Sequence, residues 1–243
     1  MKKYCTYALL ILLTVPAIAQ RKSVLHGIIK NAATAVSGRP SSSLSGDEIV
    51  AGLKEALSLG AQKSTDRLSS VNGFFKDAVI KILLPPEVRK VQTKLRLLGM
   101  GKLVDNAMLS MNRAAEDASK SAAPIFLDAI KKMTVQDALS ILRGADTSAT
   151  VYLRRTTSTN LTSAFLPIIE ASLHKVDATK YWTQVFTAYN QFSLSPVNTD
   201  INSYVTGKAL DGIFHYVAQE EKSIRANPGA RATDLLKKVF GSK

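Results

Sequence analysis

The stretch KLVDNAMLSMNRAAEDASKSAA, residues 102–123, decides the fold. Advancing about 100° per residue places Val104, Ala107, Met108, Met111, Ala114, Ala115, Ala118 and Ala122 on one helical face. Four of the last five are alanine, so a neighbouring helix can pack close. Arg113, Glu116, Asp117 and Lys120 fall opposite that face. Arg113 with Asp117 (i,i+4) and Arg113 with Glu116 (i,i+3) are the pairings expected of a solvated surface, each contributing a few tenths of a kcal/mol. An acid–base role for Glu116 would instead require it to face a cleft, with Asn112 and Arg113 as its neighbours in a polar site. Pro124 then kinks the helix or restarts it through Met133.

The same grammar extends in both directions. Upstream, Ser45 and Glu48 form a capping box. Ile49, Val50, Leu53, Ala56, Leu57 and Gly60 share a face, and Gly60 offers close approach to a neighbour. Asn72-Gly73 supplies a left-handed stop. Phe74 to Leu84 reads as a short apolar helical segment, and Pro85-Pro86 resets the chain for a helix over 87–98. Downstream, Thr134 caps a helix closed by Gly144, and Asp146 is the expected cap of the next segment. A helix over 160–175 contains Pro167, and Asp177 caps one carrying Tyr181, Trp182, Phe186 and Tyr189. Asp200 caps a long helix to about Ala226, stopped by Asn227-Pro228. A short amphipathic helix then spans 234–240. No segment alternates with a period of two. The expectation is an all-α, compact single bundle of about eight to ten helices, some kinked at proline. Pro124-Ile125-Phe126 and Pro167-Ile168-Ile169 echo one another about 43 residues apart, too few copies for a solenoid.

Residues 1–19 read as an export signal. Lys2 and Lys3 precede an apolar run, Pro16 ends it, and Ala17-Ile18-Ala19 matches the small-x-small cleavage pattern. The run falls short of the roughly 20 apolar residues that span a bilayer. The expected mature chain starts at Gln20, carries no transmembrane span, and works in the periplasm or beyond. Residues 20–43 read as a flexible segment and 44–243 as the helical domain. The one cysteine, Cys5, lies inside the signal, so disulfides and thiolate chemistry are not expected in the exported chain. The formal charge of +13 favours anionic partners. Its cations are scattered in pairs rather than gathered on an aromatic-studded face, which argues against nucleic acid.

Chemistry-bearing residues are few. On the Asp200 helix the apolar stripe is Ala209, Leu210, Ile213, Val217 and Ile224, and Glu220 falls within it. Such a carboxylate must be ion-paired, for instance to Arg231 or Arg143, or have a raised pKa suited to a general acid. Glu221, four residues before Arg225, reads as an ordinary surface pair. His26, His174 and His215 show no metal-ligand spacing, and neither metal nor cofactor is expected. Ser172-Leu173-His174-Lys175 matches an S-x-x-K string without its companion motifs. Tyr181, Trp182, Phe186 and Tyr189 are core residues or the lining of an apolar or sugar pocket. The 234–240 helix, with Lys237 and Lys238, is short for a membrane-surface helix.

Several phrases taken together carry a resemblance. They are Met111-Asn112-Arg113-Ala114-Ala115-Glu116-Asp117-Ala118, Met133-Thr134-Val135-Gln136-Asp137-Ala138 and Ala209-Leu210-Asp211-Gly212-Ile213-Phe214. To these add Glu220-Glu221 with Ile224-Arg225, and Thr233-Asp234-Leu235-Leu236-Lys237-Lys238-Val239-Phe240-Gly241. From Leu44 to the C-terminus the chain resembles DUF4197, an exported bacterial family of unknown function. The resemblance implies an extracytoplasmic bacterial protein and supplies no activity, ligand or catalytic residue. The functional expectation is therefore non-enzymatic binding of an anionic envelope component or a protein partner. The alternatives are an envelope glycan hydrolase or lyase using Glu220 or Glu116 as acid, and a carrier of a small apolar ligand. Ligand-contacting candidates are Asn112, Arg113, the four aromatics, Arg225 and Arg231.

Overall fold

The computed structural model describes residues 45–175 and 200–227, with positions 182, 186, 187, 190, 191 and 196. The elements, in order, are α1 (Gly46–Ser69), a 3-10 turn (Pro86–Val88), α2 (Arg89–Leu97), α3 (Gly101–Ser119) and α4 (Ala122–Lys132). They continue with α5 (Val135–Arg143), α6 (Ser148–His174) and α7 (Ile201–Ala226). Among the described residues there is no strand. The fold is all-α, and these helices belong to one compact unit.

Local chemistry places most of the boundaries. Ser45 and Glu48 form the capping box of α1, and Thr134 and Asp137 form one for α5. Asp200 caps α7 by accepting from the Ser203 N–H. Asn72 takes the left-handed conformation (φ 71°) just past α1. Pro124 restarts rather than kinks: it lies in the first turn of α4, where a proline removes no helical hydrogen bond. Pro167, by contrast, lies deep inside α6. The two proline phrases therefore occupy different places in their helices and are not copies of one structural unit.

Two sequence expectations are corrected. Phe74–Leu84 forms no helix but a run of turns and extended backbone. The helix expected over 160–175 begins twelve residues earlier, at Ser148. Its first half, rich in threonine and β-branched residues, has modest helix propensity. There Thr157, Ser158 and Thr162 hydroxyls each bond back to the carbonyl four residues earlier.

α6 packs most extensively against α3 and α7, and α1 lies against α7, α4 and α5. Ala114, Ala115 and Ala118 are fully buried, as their spacing requires. Met111, Phe126, Leu153, Leu161, Phe165, Ile169, Ile213 and Phe214 fill the centre. The Phe126 and Phe214 rings meet edge-to-face, 5.7 Å between centroids. Truncating either would cost about 3–5 kcal/mol. Gly60 faces α7 at ordinary van der Waals range, 3.4 Å from an added Cβ to the Glu220 Cβ. At Gly212 the contact is tighter, and an added Cβ would lie 2.5 Å from the Phe74 ring.

Candidate functional site

The polar cluster on α3 divides: Arg113 and Glu116 form the expected i,i+3 pair, but Asn112 and Glu116 turn inward rather than to solvent. Glu116 is buried, and its Oε1 accepts the N–H groups of Phe74 and Phe75, both at 3.1 Å. Its Oε2 takes Arg113 at 2.5 Å, and Arg113 also donates to the Asn72 side chain. Asn112 reads Ile82 like a neighbouring strand, accepting its N–H at 2.9 Å and donating to its carbonyl at 2.8 Å. Asp117 and Lys120 stay outward, paired with each other. Asn112, Arg113 and Glu116 thus fasten the irregular 72–84 segment to the bundle, supplying the partners that its backbone lacks.

A second anchor of the same segment is Asp77. Its carboxylate accepts the N–H groups of Val79 and Ile80, together with the Tyr216 hydroxyl and Arg67. Burial pushes the Asp77 pKa up, but the bonds from Tyr216, Val79, Ile80 and Arg67 outweigh it, and the net shift is downward. Burial first, then the neighbouring Asp77, pushes the Tyr216 phenol up. The Arg67 guanidinium lies 4.2 Å from the centre of the Tyr216 ring.

On α7 the roles expected of two adjacent glutamates are exchanged. Glu220 is partly exposed and 3.9 Å from Lys63, not enclosed in an apolar stripe. Glu221 is the buried one. Its oxygens accept the N–H of Ala149 at 3.0 Å and both the N–H and hydroxyl of Thr150 at 2.8 Å. These are N–H groups of the first turn of α6, whose own N-cap, Thr147, makes no side-chain cap bond. Glu221 therefore caps α6 from another helix, in the role expected of Asp146. Arg225 binds Glu221 Oε1 at 3.0 Å and donates to the carbonyl oxygen of Ile141 at 2.8 Å, in the last turn of α5. One ion pair thus sets an anion at a helix start and a cation at a helix end, as the helix dipoles favour.

Trp182 and Phe186 are buried, with ring centroids 4.4 Å apart. Tyr181, Tyr189, Arg231, the 1–19 signal, the 20–43 segment and the 234–240 helix lie outside the described residues. Among the described residues the Trp182 indole N–H, Asn202 Oδ1 and Thr206 Oγ1 are buried and find no hydrogen-bond partner. Among the described residues no cluster of three His, Cys, Asp or Glu is placed to hold a metal, and no helix is long and apolar enough to cross a membrane.

The fastened segment forms one wall of a groove about 690 Å³ in volume; the first half of α7 forms the other. Val79, Leu83, Leu84 and Pro85 supply an apolar side, and Lys81, Lys208 and His215 supply donors. Tyr204 donates from its hydroxyl to the Leu83 carbonyl at 2.9 Å, tying the two walls together. The Lys81 ammonium stands 4.3 Å from the Phe75 ring centre. The groove's carboxylate, Asp211, pairs with Arg154 at 3.4 Å. Sequence reading missed Lys81, Tyr204 and Lys208 because no motif joins them; the cue was basic residues beside apolar ones in 79–86.

No curated protein and no solved structure matches the chain. The family model described as "Protein of unknown function (DUF4197)" matches residues 43–241, and the chain belongs to that family.

Proposed function

We propose that this is an exported, non-enzymatic binding protein whose groove between residues 79–86 and α7 holds an anionic, partly apolar component of the bacterial envelope. The observation that carries the reading is the groove's chemistry: Lys81 beside Val79, Leu83, Leu84 and Pro85 on one wall, and Lys208 on the other. An ammonium pair selects negative charge, and the apolar side adds affinity by shedding water. Glu116 and Glu221 support this over hydrolysis, because their carboxylate oxygens are committed to backbone N–H groups and arginines. A glycan hydrolase would have to rest on Glu220, and Glu220→Gln would then abolish turnover of envelope glycan while leaving binding intact.

The export part rests on residues 1–19. Fractionation followed by N-terminal sequencing should recover the protein outside the inner membrane, starting at Gln20; recovery from cytosol with Met1 attached would end that reading. For the groove, pull-down from envelope extracts should capture an acidic amphiphile that is released by salt. Capture unaffected by Lys208→Glu would overturn it.

A further inference from the structure

The turn between α2 and α3 presents an apolar tip on a cationic collar. Leu97 is 83% exposed, Leu98 75% and Met100 44%, and they are consecutive but for Gly99. Gly99 adopts a left-handed conformation (φ 78°), and an added Cβ there would meet nothing within 4 Å, so the turn projects into open space. Among the described elements α2 packs appreciably only against the 3-10 turn and α3. Isolated exposed leucines are ordinary, but two adjacent ones at the apex of a projection are not.

The charge around that apex is mainly basic, with Asp105 the acidic residue beside it. Between Val88 and Val104 the sequence holds Arg89, Lys90, Lys94, Arg96 and Lys102 and no acidic residue. Lys94 and Lys102 are exposed, and Arg96 is partly held by Asp105. Apolar residues at the tip with lysines behind them match the boundary between acyl chains and anionic headgroups.

We propose that residues 97–100 insert shallowly into an anionic phospholipid surface, with Lys94 and Lys102 contacting the headgroups. This docking does not depend on the groove. A second copy of this chain is the rival occupant of the apolar tip. It is disfavoured because a self-complementary contact would bring two cationic collars together.

The test is co-sedimentation of the purified protein with vesicles of phosphatidylcholine, with and without phosphatidylglycerol. Binding is expected only to the anionic vesicles and should fall with salt. Each lysine removed by Lys94→Ala or Lys102→Ala should weaken it by about fivefold. Leu97→Ser with Leu98→Ser should abolish it without changing the circular dichroism spectrum. A Leu98→Trp variant should shift its emission to the blue on anionic vesicles. No binding, or binding untouched by the leucine substitutions, overturns the proposal. So does a dimer in solution that those same substitutions dissolve. Loss of ligand on Lys208→Glu reports on the groove and should leave vesicle binding unchanged, so the two readings fail separately.

Discussion

Removing the Glu221 carboxylate should be strongly destabilising. Glu221→Ala leaves the Ala149 and Thr150 N–H groups without their acceptor and strips Arg225, 11% exposed, of its counter-charge. A buried pair broken from one side costs about 3–5 kcal/mol, because the survivor is left charged and poorly solvated. The lost cap accounts for about 1 kcal/mol of that. Two to four degrees per kcal/mol is typical of a chain this long, so the melting temperature should fall by roughly 10 °C. Urea titration followed by circular dichroism measures the same loss. Arg225→Ala should also destabilise, and the double variant should lose less than the sum of the two, by about 1–3 kcal/mol. Strict additivity, or a loss below about 1 kcal/mol for Glu221→Ala, would refute the idea that one pair secures the ends of both α5 and α6.

Asn112→Leu should cost about 3 kcal/mol by leaving the Ile82 N–H and carbonyl unpaired in the interior, and it should loosen the groove wall enough to weaken ligand retention. Gly212→Ala forces a methyl into the Phe74 ring and should destabilise by about 1–3 kcal/mol; adding Phe74→Leu should recover part of that in the same melt. Asp77 has a depressed pKa when folded, so its contribution is present above its unfolded value near 4 and is lost as pH falls through the folded value. Asp77→Asn should therefore be less stable than the parent at pH 7, and the gap should close below about pH 4 in denaturant titrations.

Local signals were legible in the sequence because they are read within a few residues. Ser45 with Glu48, Thr134 with Asp137, Asp200, and the left-handed Asn72 all sit where their chemistry placed them. The alanine face of α3 announced close packing, and that face is buried. What failed was partnership at a distance. α7 is sandwiched by α1, α3 and α6, so its buried surface is wider than a single stripe and takes in Glu221 one position past the residue expected. Glu116 is buried by a segment some forty residues upstream, whose lack of regular structure no periodicity reveals. The start of α6 was missed for a related reason: its cap comes from α7 rather than from the preceding turn. The groove joins residues near 80 to residues near 210, and Lys81 and Lys208 carry no shared motif.

Native mass spectrometry of the protein purified from its own host, alongside the Lys81→Glu/Lys208→Glu variant, tests ligand binding at the groove most directly. The parent should carry an acidic, partly apolar adduct that collisional activation releases, and the variant should fly without it. A parent that is empty at every ionic strength, or an adduct that the variant retains unchanged, would contradict it.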